Sequence, residues 1–340
     1  MAVYNITVRE EPFGAYVHLR EGAQVRIVSP VEDVVSGFLE DPYSMVEEIF
    51  EVLPPNSGDS INIRTLAPHK TPIFSLSAPY DVSVDITNVC NLSCQHCYAS
   101  ALHQGEHISF MDLVRIVSKL DLSGVTHLAI TGGGEPFLHP YLDKIIKYIY
   151  ASTKLNFTIL TNGTIFRKDV INFLSKDKVK DVGGLFISLD DVESEIHDEF
   201  RGTDGAWERT VKFINKINKT TIPFIIGTVI HRHNKDRLEE IIKFSRDLGG
   251  ADGVHFMVFT PAGRASKVFE KYSLDKHEIQ EIQHKLERLV DKYSTDTFKV
   301  MLDDFGYTFT WEKHPDSFST LRELNLAGGL CCRENNTSYR

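Results

Sequence analysis

No run of apolar residues in this 340-residue chain approaches the roughly 18 that a membrane-crossing helix needs. The opening Met1-Ala-Val-Tyr-Asn-Ile-Thr-Val-Arg-Glu-Glu lacks a basic stretch followed by an apolar one, so it does not read as an export signal. The sequence expectation is a cytoplasmic protein without a membrane partner. An excess of positive charge is missing too. Lys and Arg total 37 against 47 Asp and Glu, a net charge of −10, which argues against broad electrostatic capture of nucleic acid. Cysteine is scarce, five in all, and the number is odd: Cys90, Cys94 and Cys97 sit together and Cys331 and Cys332 are adjacent. A secreted disulfide framework is not spaced this way, whereas metal or cluster ligation in a reducing compartment is. Internal repeats and low-complexity tracts are also lacking. What is present is ordinary globular composition, 42% hydrophobic and 25% charged, in a chain long enough for two domains.

Residues 1–78 read as a small α+β leader domain. Tyr16-Val-His-Leu and Gln24-Val-Arg-Ile-Val predict strands around the turn Arg20-Glu-Gly-Ala, and Met45 to Leu53 an amphipathic helix. Pro54-Pro-Asn-Ser-Gly-Asp-Ser breaks regular structure, and Pro68 to Pro79 predicts a linker. Over 79–268 short β-branched runs alternate with longer amphipathic segments. The predicted strands are Val82–Thr87, Thr126–Thr131, Asn156–Leu160, Gly184–Leu189, Phe224–Ile230 and Gly253–Val258, with helices near 109–121, 140–152, 167–176, 205–218 and 236–248. This alternation predicts right-handed crossovers and an α/β parallel sheet, open or curled into a barrel. A helix over about 275–293 and a strand at Lys299–Leu302 are assigned to a C-terminal extension, 269–340.

The chemistry-bearing motifs all follow predicted strands, at the end where α/β barrels build their sites. After the first strand comes Cys90-Asn-Leu-Ser-Cys94-Gln-His-Cys97-Tyr98. Three thiolates from one loop leave one iron of a cubane cluster open to coordinate something else. Zinc, with one of His96, His103 or His107 as fourth ligand, and three plain buried thiols are the other readings. After the second strand, Thr131-Gly132-Gly133-Gly134-Glu135-Pro136 exposes backbone polar groups to close approach. The third strand ends in Thr161-Asn162-Gly163-Thr164, by itself an ordinary turn. The fourth ends in Ser188-Leu189-Asp190, followed by His197-Asp198-Glu199-Phe200-Arg201-Gly202. Taken alone, Ser188 and Arg201 read as a cap and a surface cation. Thr228, His231 and Asn234 approach the same end, His231 and His233 as loop residues, and the sixth strand leads to Pro261-Ala-Gly263-Arg264-Ala265.

With these motifs in this order, the segment from about Asp81 to Ala265 resembles the radical S-adenosylmethionine (radical SAM) enzymes. The resemblance implies a partial (β/α)6 TIM-like barrel, a [4Fe–4S] cluster on Cys90, Cys94 and Cys97, and S-adenosylmethionine (SAM) bound to its open iron. It further implies that Gly133, Gly134 and Glu135 receive the SAM amino group, that Ser188 and Arg201 face its carboxylate, and that Asp190 contacts the ribose or the substrate. A one-electron donor such as flavodoxin or ferredoxin is the implied partner. Pro12-Phe13-Gly14 and the Pro-Ala-Gly-Arg-Ala turn resemble the peptide-modifying and cofactor-maturing branches. Ala327-Gly-Gly-Leu-Cys331-Cys332-Arg333 resembles the opening of their cysteine-rich SPASM extension, here truncated or reduced. The implied substrate is a ribosomally made peptide or peptide-like molecule. Tetrapyrrole or small-cofactor maturation is the alternative on the same machinery, and a non-catalytic iron–sulfur or zinc module the reading from another class. The leader itself reads either as a cover for the barrel entrance or as a sheet edge onto which a peptide strand can add.

Overall fold

Runs such as Phe-Ile-Ile-Gly-Thr-Val-Ile are apolar on both strand faces, which suits a parallel strand with helices packed outside it. The computed structural model describes residues 3–11, 14–20, 24–27, 31–50, 60–66 and 78–302. The predicted linker and Cys331-Cys332 lie outside the described residues, apart from the linker's last two positions.

After the leader's β1–β4, α1 and α2, the main sheet and its helices are β5 (Asp81–Asp85), α3 (Phe110–Leu122), β6 (His127–Thr131), α4 (Leu142–Ser152), β7 (Asn156–Thr161), α5 (Lys168–Leu174), β8 (Gly183–Ser188), α6 (Ser194–Arg201), α7 (Ala206–Ile217), β9 (Phe224–Ile230), α8 (Leu238–Asp247), β10 (Gly253–Val258), α9 (Phe269–Tyr272), α10 (Lys276–Tyr293) and β11 (Lys299–Leu302). Strand order is β11-β10-β9-β8-β7-β6-β5, all parallel, with β5 and β11 at the edges: a mixed α/β fold with a partial TIM-like barrel. The sheet therefore has seven strands where six were expected. β11 pairs with β10 through Val254↔Val300, and α10, started by a capping box of Asp275 and Glu278, buries Ile282, Leu286 and Leu289 in the same core. The expected boundary at 268/269 is corrected accordingly, because it cuts one more βα unit from the sheet to which its apolar face belongs.

One strand face packs on the helices. Leu128, Ile130, Phe157, Ile159, Ile187 and Ile226 are almost fully buried there. The other face is open: Ser83 and Asp85 are exposed, and Leu160, Phe186, Ser188 and His255 are half-buried.

The leader forms β1 (Val3–Glu11), β2 (Gly14–Leu19), β3 (Gln24–Ile27), α1 (Val31–Glu40), α2 (Pro42–Phe50) and β4 (Ser60–Leu66), with sheet order β3-β2-β1-β4. Its apolar face, with Ile6, Val8, Val17 and Leu19, packs on Val34, Phe38 and Val46. Its other face is polar yet buried against the barrel. Arg9 donates to the carbonyls of Gly124 and Ala78 at 2.6 and 3.0 Å and pairs with Glu11 at 2.6 Å, while Tyr16 stacks on Tyr80 with ring centres 4.1 Å apart. Arg20 donates to the Tyr150 carbonyl at 3.1 Å. Residues 78, 80 and 124 lie just ahead of β5 and β6, so the leader closes the amino-terminal end of the strands.

Candidate active site

The loop after β5 is held by bonds across itself and by its neighbours at the end of β6 and on α6. Ile86 N donates to Thr131 O at 2.9 Å, Cys90 N to Leu102 O at 2.7 Å and Gln95 N to Phe200 O at 2.9 Å. Cys94 is buried and Cys90 and Cys97 are half-buried, and with Leu92 and Ala206 they make one apolar cluster. Donors turn toward two of the sulfurs, Leu92 N lying 3.5 Å from Cys90 Sγ and Ala101 N 3.3 Å from Cys97 Sγ, and the Arg201 charge favours the Cys94 thiolate. Burial pushes the Cys90 thiol up to about 11, with the neighbouring thiols and Glu135 adding to it, and burial raises Cys94 as well. Bare thiolates are therefore costly in this pocket and need a positive centre to hold them deprotonated.

Amide donors on sulfur, apolar walls and three cysteines fit an iron–sulfur cluster, whose thiolates sit at separate corners. They fit zinc less well. Among the described residues no three His, Cys, Asp or Glu side chains are grouped as ligands of one metal ion. His103 is engaged at both nitrogens, by Ser93 Oγ and the Cys90 carbonyl, each at 3.0 Å. His96 stacks on Phe200, ring centres 3.9 Å apart, and Phe200 stacks on His231 at 4.0 Å.

The glycine turn lies along this loop. Gly134 N donates to Thr87 O and Glu135 N to Val89 O, both at 2.8 Å. A Cβ on Gly134 would stand 1.9 Å from Val89 O, so no side chain fits, whereas one on Gly133 would meet nothing closer than 3.5 Å. Glu135 is buried. Its Oε1 accepts from Phe137 N at 3.0 Å and Thr161 Oγ1 at 2.8 Å, and its Oε2 from Asn162 N at 2.8 Å. It ties β6 to the end of β7, which leaves the half-buried Gly133 backbone as the accessible part of the motif. The Thr-Asn-Gly-Thr turn does more than reverse the chain: Asn162 donates to Asn91 Oδ1 at 3.1 Å and Asn91 to Thr164 Oγ1 at 2.8 Å, bracing the cysteine loop.

Ser188 ends β8 half-buried, paired with Gly227. Arg201 is nine-tenths covered and donates from Nε to Asp190 Oδ2 at 2.6 Å. Asp190 is fully buried and its Oδ1 accepts from Val229 N at 3.0 Å, so both its oxygens face protein. Arg201 and backbone donation hold its carboxyl well below the usual range against the opposing effect of burial. Asn234 donates to the Asp190 carbonyl at 2.8 Å and His231 packs under Phe200, which makes both supports of this corner.

Asp85, missed in the sequence reading, is the exposed carboxylate of the site. Its Oδ1 accepts from Thr131 Oγ1 at 2.7 Å, and its Oδ2 stands 3.7 Å from where a Gly133 Cβ would be. The signal available was an acid as the last residue of the strand that feeds the cysteine loop.

Residues 84–245 match the Radical SAM superfamily. The chain is 29% identical over 215 residues to an AdoMet-dependent heme synthase of Methanosarcina barkeri, covering 61% of this chain and 58% of that protein. It is 33% identical over 172 residues to the Bacillus subtilis antilisterial bacteriocin subtilosin biosynthesis protein AlbA, covering 50% and 38%. The chain thus spans little more than half the length of such relatives, or less. Among solved structures, Streptococcus suis SuiB bound to S-adenosylmethionine shares the fold, with a TM-score of 0.66 at 16% identity over 88% of this chain and 72% of that one. Strand-end motifs, cysteine loop and domain match thus agree on residues 84–245, the segment that matches the Radical SAM superfamily.

Proposed function

We propose that the chain is an enzyme that holds a [4Fe–4S] cluster on Cys90, Cys94 and Cys97, binds SAM beside it, and abstracts hydrogen from a peptide or peptide-like substrate. The observation that carries this reading is the apolar pocket of three cysteines with amide donors turned to two of their sulfurs. When bound and reduced by one electron, from a donor such as flavodoxin or ferredoxin, the cluster supplies reductive cleavage of SAM to methionine and a 5′-deoxyadenosyl radical that takes hydrogen from substrate.

The chain's own residues do the positioning. Gly133 offers its backbone to the SAM ammonium, with the Asp85 carboxylate alongside, and Glu135 fixes the turn that presents both. Ser188 Oγ and the N–H donors of Arg201 not engaged by Asp190 receive the carboxylate, a match of planar fork and anion. Asp190 acts by orienting Arg201. The inner sheet face, with Leu160, Phe186 and His255 half-buried, is the space left for substrate.

Peptide substrates are supported by AlbA, by the sporulation killing factor maturation protein SkfB of B. subtilis, 26% identical over 213 residues, and by SuiB, solved bound to precursor peptide SuiA. Similarity to heme synthases favours a second reading, maturation of a tetrapyrrole or other small cofactor. The two separate by incubating the reduced enzyme with SAM and a candidate precursor peptide or a porphyrin. Only the true substrate raises 5′-deoxyadenosine formation above the substrate-free rate and appears changed in mass.

A further inference from the structure

The Pro261-Ala-Gly-Arg-Ala turn after β10 is remote in sequence from the cysteine loop, yet every polar contact that Arg264 makes is to that loop. Its backbone N donates to Cys97 O at 3.0 Å, its Nε to Cys94 O at 3.0 Å and its Nη1 to Ala101 O at 2.5 Å. The three carbonyls bracket the last two cysteines. Gly263, with φ of +58°, brings the turn close enough that a Cβ there would stand 2.2 Å from Tyr98 O. Ala265 next to it is fully buried among Phe200, Phe259 and Tyr272, so the turn is seated on a rigid aromatic cluster rather than on solvent. No thiol is touched by Arg264, and it is only half-buried.

We infer that Arg264 is a positioning residue for the cluster site: its guanidinium fork sets the spacing of the Cys94 and Cys97 thiolates, and its charge favours the reduced state of the group they hold. Two physical arguments meet here. A planar fork can bridge two carbonyls that an ammonium, a single point charge, cannot satisfy in the same geometry. A fixed cation beside an anionic cluster stabilises the added electron, since net charge and nearby hydrogen bonds set such potentials. The Cys94 residue is thereby gripped at its carbonyl by Arg264, while the Arg201 charge favours its thiolate. Because β10 lies next to the edge strand β11 and β5 is the opposite edge, the clamp also joins parts of the sheet that share no strand pairing.

This inference rests on the proposed cluster, and the test keeps the two apart. Arg264→Ala, Arg264→Lys and Arg264→Gln are compared with the unaltered chain in three measurements: hydrogen–deuterium exchange of residues 94–102 in the iron-free protein, rate of iron loss to a chelator after anaerobic reconstitution, and midpoint potential of the cluster without SAM. Expected are at least tenfold faster exchange and iron loss in Arg264→Ala, and a midpoint shifted negative by up to a tenfold change in the reduction equilibrium, about 59 mV for one electron. Arg264→Lys keeps the midpoint close to that of the unaltered chain but releases iron several-fold faster. Arg264→Gln shows the negative midpoint. If Arg264→Ala does not fold, Arg264→Lys decides. Iron loss and loop exchange unchanged in Arg264→Lys overturn the clamp, and an unchanged midpoint in Arg264→Gln overturns the charge effect. Should the unaltered chain take up no iron, the cluster proposal fails, and the exchange measurement alone judges the clamp.

Discussion

Arg201 Nε donates to Asp190 Oδ2 at 2.6 Å in the protein interior, and the charge of the same guanidinium favours the Cys94 thiolate. One buried cation thus ties the end of β8, the end of α6 and the cysteine loop together. Asp190→Asn is expected to leave that cation uncompensated and to destabilise the fold by about 3–5 kcal/mol, the range for removing one partner of a buried pair. Urea unfolding measures it. SAM affinity should fall as well, because Arg201 loses its orientation. Stability and affinity both unchanged would remove this pair from the account.

Gly133 and Gly134 are neighbours with opposite tolerance. Gly134→Ala forces a Cβ to 1.9 Å from Val89 O and must displace the cysteine loop, whereas Gly133→Ala meets only ordinary contacts. The account expects Gly134→Ala to lose most of its iron on anaerobic purification. Gly133→Ala should keep it and weaken SAM binding, because the added methyl narrows the approach to the backbone. Iron analysis and SAM titration of both variants check the pair, and equal iron in the two would contradict it.

The leader interface carries its own acid sensitivity. His18 is buried, and burial, with Arg20, Arg64, His127 and Arg9 adding to it, pushes its pKa down to about 3 from an ordinary value near 6.5. Below pH 6.5 the unfolded chain takes up a proton at this residue that the folded chain refuses. Stability is therefore full above about pH 6.5 and falls toward pH 3, by up to about 1.4 kcal/mol per pH unit from this group. Thermal unfolding between pH 7 and 4 should show a shallower decline in His18→Gln than in the unaltered chain. Parallel declines would place the sensitivity elsewhere.

Much of this was legible in the residues. Short β-branched runs located β6 to β10 to within a residue, because those strands are apolar enough to stand out from the amphipathic helices between them. The first core strand was placed one or two residues late: Ile86 and Thr87 look like strand, but Thr87 makes only an isolated bridge to His107 as the chain turns into the cysteine loop. β1 was not seen, since its Thr7, Arg9 and Glu11 read as a solvent face and are buried only because the barrel's end covers them. β11 was seen but left outside the sheet, as nothing in four residues tells which edge they join. The cysteine triad was plain from spacing. That Glu135 and Asp190 spend their oxygens on protein donors was not, because the donors, Asn162 N and Val229 N, are backbone atoms brought close only by the fold.

Leader docking gives a further test. Arg9→Ala removes two carbonyl contacts and the ion pair to the buried Glu11, so a loss of about 3–5 kcal/mol is expected. Limited proteolysis should then release residues before Ala78 while the radical SAM domain persists. Resistance equal to that of the unaltered chain would show that the leader is held by other means.

The central claim is that the loop of Cys90, Cys94 and Cys97 supports reductive SAM cleavage. The direct measurement is 5′-deoxyadenosine formed by the anaerobically reconstituted chain with SAM and dithionite, set beside a variant with all three cysteines changed to Ala. The account predicts close to four irons per chain at this loop and 5′-deoxyadenosine from the unaltered chain, with both lost in the triple variant. Full iron retained by the triple variant, or a loaded chain that forms no 5′-deoxyadenosine, would contradict it.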